Sequence, residues 1–180
     1  MPGFRKLDET ELLATNLITV ATGRFEGPDG DTFERTLVHH PGAVGVVPLL
    51  DDGRVLLVRQ YRAAADAELL EIPAGKRDVE GEAPEVTAAR ELVEEVGRRP
   101  GHLELLARFY TSVGYSDEHF LLYLGTDLRA AELDLQGVEE QHSSVHEVDL
   151  ADVPAMIARG ELVDAKTIIG LTMVLARGGG

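Results

Sequence analysis

The sequence has no cysteine, no tryptophan and few cationic residues. Without cysteine, neither a disulfide framework nor a thiolate metal site can form. The 180 residues contain 17 lysines and arginines against 32 aspartates and glutamates, which gives a net charge of −15. Such a surface repels a phosphate backbone, so no nucleic-acid partner is expected. An anionic small substrate would also be repelled, unless metal ions and local arginines reverse the field within a site.

Long hydrophobic runs are also missing. No apolar run approaches the length that spans a membrane, and the start of the chain, MPGFRKLDETELL, has no apolar h-region. We therefore expect a cytoplasmic protein with no membrane partner. A length of 180 residues and a hydrophobic content of 44% predict a globular protein with a substantial core.

The most informative stretch is residues 75–97, GKRDVEGEAPEVTAARELVEEVG. At about 100° per residue, its second half separates into an apolar side and an acidic side, which predicts an amphipathic helix. Pro84 suits the first turn of this helix, and Gly97 suits a left-handed stop. The apolar side, which we expect to pack on a core, consists of Val86, Ala89, Leu92, Val93 and Val96.

The acidic side carries Glu91, Glu94 and Glu95, with Thr87 between them. Glu91 and Glu95 are like charges one helical turn apart, which destabilises a helix mildly, and only Arg90 flanks them. Such repulsion is understandable if a hard divalent cation binds there, because clustered carboxylate oxygens hold Mg²⁺ or Mn²⁺. A solvated helix face is the alternative, and the uncompensated charge disfavours it.

This stretch resembles the signature of the Nudix hydrolases, G-x5-E-x7-R-E-U-x-E-E-x-G-U, in which U is aliphatic. Two positions differ from the pattern: six residues instead of five separate Gly75 from Glu82, and Arg98 replaces the last aliphatic residue. The extra residue precedes the helix and leaves its spacing intact, while a cation after a helix suits the macrodipole. The matching residues are Gly75, Glu82, Arg90, Glu91, Leu92, Glu94, Glu95 and Gly97.

The resemblance implies an α/β protein with the Nudix α/β/α sandwich, a mixed sheet, and metal-dependent hydrolysis of a phosphoanhydride. It implies that Glu91, Glu95 and the carbonyl of Ala74 are metal ligands. Glu94 shares their face and is a candidate for the same metal cluster and for catalysis. Arg90 is expected to orient these carboxylates.

The resemblance does not give a single role to two further acidic residues, Glu82 and Glu71. Glu82 either hydrogen-bonds within the loop before the helix or reaches a metal. In similar enzymes, the residue at the position of Glu71 assists the partner subunit or the water shell of the metal.

Residues 17–24 and 32–40 read as two β-strands around the turn at residues 28–30. We therefore expect an N-terminal β-hairpin in residues 1–40, a Nudix domain in residues 41–177 and a tail in residues 178–180. A lone hairpin is marginally stable in water, and similar enzymes dimerise through such a segment, so a homodimer is expected. His39 and His40, at the end of the second strand, are interpreted as ordinary surface residues.

A predicted strand ends in Arg59, Tyr61 and Arg62, which are our candidates for substrate binding. Arginine offers a bidentate fork to a phosphate, and the resemblance favours Arg62 for this role. A salt-bridged strand edge is the alternative. The polar loop of residues 111–119 holds the candidate catalytic base, Glu118, because loops on a rigid scaffold concentrate catalytic groups. Asp117 and His119 are the alternatives.

Several features resemble the ADP-ribose pyrophosphatase branch, which splits a nucleoside diphosphate sugar into a nucleoside monophosphate and a sugar phosphate. They are the N-terminal hairpin, the QYR strand end, the EIPAG segment and the GYSDE loop. ADP-ribose hydrolases that resemble this chain usually carry a proline about sixteen residues after the last glycine of the signature, where this chain has Val113. We therefore expect a less exclusive preference for ADP-ribose. The alternatives are a house-cleaning enzyme for nucleoside triphosphates or dinucleotides, and a nucleotide sensor without activity.

Overall fold

A computed structural model of the protein describes residues 3–132 and 141–178. These residues form twelve β-strands and three α-helices. The strands are β1 (Arg5–Ala14), β2 (Thr19–Glu26), β3 (Thr32–His39), β4 (Ala43–Pro48), β5 (Arg54–Arg62), β6 (Ala67–Glu71), β7 (Ala74–Lys76), β8 (Arg98–Arg99), β9 (His102–Tyr110), β10 (His119–Thr126), β11 (Arg129–Ala130) and β12 (Ser144–Asp149). The helices are α1 (Pro84–Val96), α2 (Val153–Ala158) and α3 (Ala165–Gly178), with a 3-10 turn (Leu150–Asp152) before α2.

The chain divides into two compact units. The N-terminal unit consists of Met1–Gly42 and Phe109–Phe120, and the main unit consists of Ala43–Arg108 and Leu121–Gly180. The predicted tail begins with Gly178, which is the last residue of α3, and its residues 179–180 lie outside the described residues.

The N-terminal unit contains an antiparallel sheet in the order β1-β2-β3. β2 and β3 form the predicted hairpin, and the rings of Phe25 and Phe33 stack across it with centroids 5.5 Å apart. The sequence did not predict β1, which is exposed along almost its whole length. Its leucines, Leu12 and Leu13, are exposed, so the strand has no buried face to produce an alternating pattern.

In the main unit, a sheet lies between two helices. β4 is buried at every residue, and successive side chains of a strand point to opposite faces. Val44 and Val46 join the hydrophobic cluster that contains Leu92 of α1. Val47 instead faces α3, where a Cβ added to Gly170 would contact its methyl group at 2.7 Å. The main unit is therefore layered helix–sheet–helix, and the predicted α/β class is confirmed.

The hydrogen-bonded strand orders in the rest of the molecule are β7-β4-β10-β9, β12-β5-β6 and β11-β8. β5 pairs antiparallel with β12 on one side and with β6 on the other. β7 pairs antiparallel with β4, which places Ala74 opposite Gly45. Among the described helices, none is long and apolar enough to cross a membrane.

Candidate active site

Helix α1 begins and ends where the sequence predicts. Pro84 occupies its first turn, where a missing N–H costs no helical hydrogen bond. Gly97 adopts φ 63° and ψ 35°, and its N–H bonds to the carbonyl oxygens of Leu92 and Val93. A glycine takes this left-handed conformation without the strain of a Cβ.

The buried face of α1 differs from the predicted one. Val86 was expected to be buried and is 54% exposed, while Ala89 and Val93 are only half-buried. The helix is rotated about its axis so that Glu95 faces inward, where a backbone N–H donates a hydrogen bond to its carboxylate. The buried residues are Thr87, Ala88, Leu92, Glu95 and Val96.

Glu95 lies against the strand that precedes the helix. The N–H of Ala74, in β7, donates a hydrogen bond to Oε2 of Glu95 at 3.1 Å. Glu91 lies beside the next residue along β7, because a Cβ added to Gly75 would overlap the Glu91 carboxylate. Only glycine leaves room for this carboxylate, so Gly75 brings the backbone of β7 close to the acidic face of α1.

Arg90 lies among three carboxylates. Its Nη1 is 2.9 Å from Oε2 of Glu94 and 3.0 Å from Oε1 of Glu91, and its Nη2 is 3.6 Å from Oε2 of Glu82. Burial lowers the pKa of Arg90, but the charges of these glutamates outweigh burial and raise it. The guanidinium therefore stays charged and reduces the repulsion within the acidic face.

Glu82, in the loop before α1, is hydrogen-bonded to a residue in the first turn of that helix. The Thr87 hydroxyl, which is fully buried, donates a hydrogen bond to Oε2 of Glu82 at 2.7 Å. Of the two roles left open by the sequence, the structure shows the hydrogen bond.

The oxygen-rich composition of this site suits a hard divalent cation. Among the described residues, no three or more histidine, aspartate or glutamate side chains are grouped as a metal site. Mg²⁺ does not need such a group, since it binds through one or two carboxylates and keeps waters and substrate phosphates as its other ligands. Glu91 and Glu95, next to the backbone of Ala74 and Gly75, fit that requirement. A bound cation would supply charge neutralisation at phosphate oxygens and a more acidic water.

Arg62, one of the three substrate-binding candidates, pairs with the buried Glu71 and is influenced by the charge of Glu95. Its Nε and Nη2 donate to the two carboxylate oxygens of Glu71 at 2.8 and 2.7 Å. The hydrogen bond to Glu71 and the charges of Glu71, Glu95 and Asp164 raise the pKa of Arg62, against a smaller opposing effect of burial. The side chain of Arg62 is 41% exposed, so its outer edge reaches solvent.

Arg59 and Tyr61 alternate with Arg62 along β5, so their side chains point to the opposite face of the strand. The Tyr61 hydroxyl donates to Oδ1 of Asp66 at 2.8 Å, and this bond raises the pKa of Tyr61. The structure therefore does not bring these two candidates together with Arg62.

Glu118, the candidate base, belongs to the N-terminal unit. The Thr111 hydroxyl donates to its Oε2 at 2.6 Å, and the Ser116 hydroxyl accepts from its backbone N–H at 3.2 Å. Nδ1 of His40 is 3.8 Å from Oε1 of Glu118. Glu118 is thus held in a defined position within its loop.

The same loop is joined to β3 through His39. Nδ1 of His39 lies 2.5 Å from Oδ2 of Asp117, and Nε2 lies 2.9 Å from Oε1 of Glu9. The hydrogen bond to Asp117 is the largest of the effects that raise the pKa of His39. His39 is therefore a partly exposed surface residue that also connects β1, β3 and the loop.

Sequence reasoning missed two polar residues of the main unit, Lys166 and Thr167. The Ile72 N–H donates to the buried Thr167 hydroxyl at 2.9 Å, and Lys166 forms an ion pair with Glu71. Each of these contacts to α3 spans 95 residues, so no local spacing signals it. The one available signal was a lysine in the first turn of a helix, where a cation opposes the macrodipole.

The main unit is a helix–sheet–helix structure that places an acidic helix face, with Glu91 and Glu95, against the backbone of Ala74 and Gly75. The NUDIX domain family matches residues 39–169. The chain is 35% identical over 163 residues to the ADP-ribose pyrophosphatase of Bacillus subtilis (strain 168), covering 91% of this chain and 88% of the relative. It is 38% identical over 173 residues to the ADP-ribose pyrophosphatase of Mycobacterium tuberculosis (strain ATCC 25618 / H37Rv), covering 96% and 84%.

Among solved structures, one titled "Crystal structure of ADP compounds hydrolase" matches with a TM-score of 0.85 and 22% identity, covering 100% of this chain and 97% of that chain. The chain belongs to the NUDIX family. It is a hydrolase of that family.

Proposed function

We propose that this protein hydrolyses the pyrophosphate bond of a nucleoside diphosphate sugar such as ADP-ribose, giving a nucleoside monophosphate and a sugar phosphate. The observation that carries the proposal is the position of Glu91 and Glu95 against the backbone of Ala74 and Gly75. The two ADP-ribose pyrophosphatases described above, which align over most of their length, support the same activity.

Mg²⁺ is the proposed cofactor, with Mn²⁺ as a possible substitute. Glu91, Glu95 and the carbonyl of Ala74 would hold it, and Glu94 is a candidate for the same cluster. Arg90 would keep these carboxylates in position, since it already contacts Glu91 and Glu94.

Arg62 would bind a phosphate of the substrate through its outer edge, because Glu71 uses only its Nε and one Nη2 hydrogen. Glu118 is proposed as the general base, which would accept a proton from the attacking water. The Thr111 hydroxyl would keep one oxygen of Glu118 fixed during that step. Arg59 and Tyr61 remain weaker candidates for substrate contact, because they lie on the other face of β5.

The experiment that tests this proposal is a substrate panel. Purified protein with Mg²⁺ would be incubated with ADP-ribose, other nucleoside diphosphate sugars, dinucleotides and nucleoside triphosphates, and the products identified by mass. We expect a nucleoside monophosphate and a sugar phosphate from ADP-ribose. Hydrolysis of triphosphates or dinucleotides alone would assign a house-cleaning function, and binding without any hydrolysis would assign a sensor.

We also propose that the enzyme acts in the cytoplasm as a homodimer formed through the N-terminal unit. β1 is an edge strand with Leu12 and Leu13 exposed beside a register irregularity after Glu11. Exposed apolar side chains on a sheet edge are typical of a surface that pairs with another chain. Light scattering should give the mass of a dimer, and changing both leucines to lysine should shift it toward a monomer. Glu11→Lys, on the same exposed strand, is the matched control.

A further inference from the structure

Glu71 is a buried carboxylate that two cations share. Its side chain is 1% exposed. Arg62 donates two hydrogen bonds to it, and Nζ of Lys166 contacts its Oε2. Burial raises the pKa of Glu71, but the bonds to Arg62 and the charge of Lys166 outweigh burial and keep that pKa low. One cation is enough to neutralise one carboxylate. Because Arg62 already pairs with Glu71, the presence of Lys166 beside the same carboxylate needs a separate explanation.

The helix that carries Lys166 does not explain it. Lys166 is the second residue of α3, where the positive end of the macrodipole disfavours a cation. Its side chain is also largely buried, with 14% exposed, which disfavours a charge further. Asp164 lies 3.0 Å away and offsets part of this cost, but Asp164 also accepts hydrogen bonds from the Thr167 N–H and hydroxyl. The placement of Lys166 is best explained by Glu71.

The geometry of Arg62 indicates what Lys166 contributes. Glu71 binds Arg62 side-on, through Nε and Nη2, and within the described residues no hydrogen bond uses Nη1 of Arg62. A phosphate that bound this outer edge would draw the charge of Arg62 away from Glu71. Without a second cation, Glu71 would then become a buried carboxylate with weakened neutralisation, which is unfavourable.

Lys166 also changes the local charge that an anionic substrate meets. The charges of Arg62 and Lys166 balance those of Glu71 and Asp164, so the group is neutral. Loss of Lys166 would leave the group negative, in a protein whose net charge is already −15.

We propose that Lys166 is a positioning residue for substrate binding: it neutralises Glu71, so that Glu71 can orient Arg62 while Arg62 binds a phosphate of the substrate. The inference rests on the proposed function, because it needs a phosphate-containing substrate. It adds a residue of α3, distant in sequence from the signature, to the determinants of KM.

The first test is steady-state kinetics of Lys166→Met with ADP-ribose and Mg²⁺. We expect KM to rise roughly tenfold with kcat little changed, because the loss is in a hydrogen bond to a charged group that acts on binding. Lys166→Arg should restore most of the affinity. Arg177→Met is the matched control, since it removes one cation from the far end of α3, where its ion pair within the described part of the chain is with the exposed Glu104.

The second test is a double-mutant cycle with Arg62→Gln. If Lys166 acts through Arg62, Lys166→Met should raise KM much less in the Arg62→Gln background than in the wild type. Calorimetric titration with the α,β-methylene analogue of ADP-ribose should reproduce this difference without turnover. Equal effects in the two backgrounds would overturn the inference, as would an unchanged KM in Lys166→Met.

Stability has to be separated from binding in these variants. The melting temperature of each variant would be measured, and Lys166→Gln, which keeps a polar side chain, would replace Lys166→Met if the latter unfolds. A fall in kcat and melting temperature together, with KM unchanged, would assign Lys166 a purely structural role and overturn the inference. A wild-type protein inactive on every nucleotide sugar would instead overturn the proposed function, so the two failures are distinguishable.

Discussion

The N–H of Ala74 donates a hydrogen bond to Oε2 of Glu95 at 3.1 Å and so connects β7 to α1. The bond explains how a carboxylate that is only 5% exposed is tolerated in the buried face of the helix. It also fixes the separation between Glu95 and the backbone whose carbonyl oxygen is the proposed third ligand of Mg²⁺. The fold alone therefore holds Glu95 next to the backbone of the proposed metal site.

Glu91→Gln and Glu95→Gln should each abolish most of the Mg²⁺-dependent activity. Each substitution removes a charge that the cation requires, and at position 95 glutamine keeps an acceptor oxygen for the Ala74 N–H. Because both residues are proposed as direct ligands, we expect the loss of metal affinity to exceed the roughly 10- to 100-fold typical of outer-shell changes. The measurement is the reaction rate as a function of Mg²⁺ concentration.

In EDTA, the same two variants should melt no lower than the wild type, because each substitution relieves a like-charge pair. Glu80→Gln, in the exposed loop before α1, is the control and should leave the activity unchanged. Full activity in both Glu91→Gln and Glu95→Gln would rule out the proposed metal site.

The sequence predicted the ends of α1 and the class of the fold because these depend on local signals. Pro84 and Gly97 act within one turn of the helix, and each appears where the pattern requires it. The orientation of the helix could not be read in the same way. A period of 3.6 residues predicts the buried face of a helix only to within one residue. Whether Ala88 or Ala89 is buried depended on the rotation of α1 that brings Glu95 to the N–H of Ala74 in β7.

The sequence did not predict β1 or the role of Lys166, and the physical reason differs from that for the orientation of α1. β1 has almost no buried residues, so burial leaves no alternation in its sequence. Lys166 meets Glu71 across 95 residues of chain, and only the folded main unit shows that the two are partners. Residue type alone could not rank Arg59 and Arg62, and only the family resemblance favoured Arg62; the structure adds that the two side chains lie on opposite faces of β5.

Glu118→Gln should lower kcat by about 10²- to 10⁴-fold if Glu118 is the general base. Its hydrogen bond from Thr111 needs only an acceptor oxygen, which glutamine retains, so the loop should keep its structure. Metal affinity should barely change, which separates this variant from those at Glu91 and Glu95. A change of kcat below about threefold would assign the base elsewhere, with Asp117 and His119 as the next candidates.

His39 should make the stability of the N-terminal unit depend on pH. Its pKa is raised in the folded protein by Asp117 and Glu9, so protonated His39 favours the folded state. This contribution is fully present below the unfolded value of about 6.5 and is lost as the pH rises through the raised folded value. The melting temperature of the wild type should therefore exceed that of His39→Gln most at low pH.

The difference in melting temperature between wild type and His39→Gln, measured from pH 5 to pH 9, is the quantity to compare. His146→Gln is the control, because the His146 ring contacts the neutral hydroxyl of Ser144 instead of a carboxylate. A difference that stays constant over this range, or that grows with pH, would contradict the role of His39.

Val113→Pro should increase the preference for ADP-ribose over other nucleoside diphosphate sugars by a few-fold. Val113 is 75% exposed and follows Ser112, whose carbonyl oxygen accepts hydrogen bonds from the N–H groups of Tyr115 and Ser116. Val113 thus stands second in a tight turn, where the fixed φ of proline near about −65° is favoured. Among the described residues no backbone hydrogen bond uses the Val113 N–H, so proline removes no such contact.

The turn forms part of the wall of a cavity of about 510 Å³ in the N-terminal unit, lined also by Phe25, Phe33 and Arg35. Valine favours extended geometry through its β-branch but leaves the turn more freedom than proline does. We expect this loop to shape the sugar end of the substrate site, so a stiffer turn should discriminate more strongly between sugars. The measurement is the ratio of kcat/KM for ADP-ribose to kcat/KM for each other nucleotide sugar, with Val113→Ala as the control that removes the side chain without stiffening the backbone. An unchanged ratio in Val113→Pro, or an equal change in Val113→Ala, would show that the stiffness of this turn does not set the substrate preference.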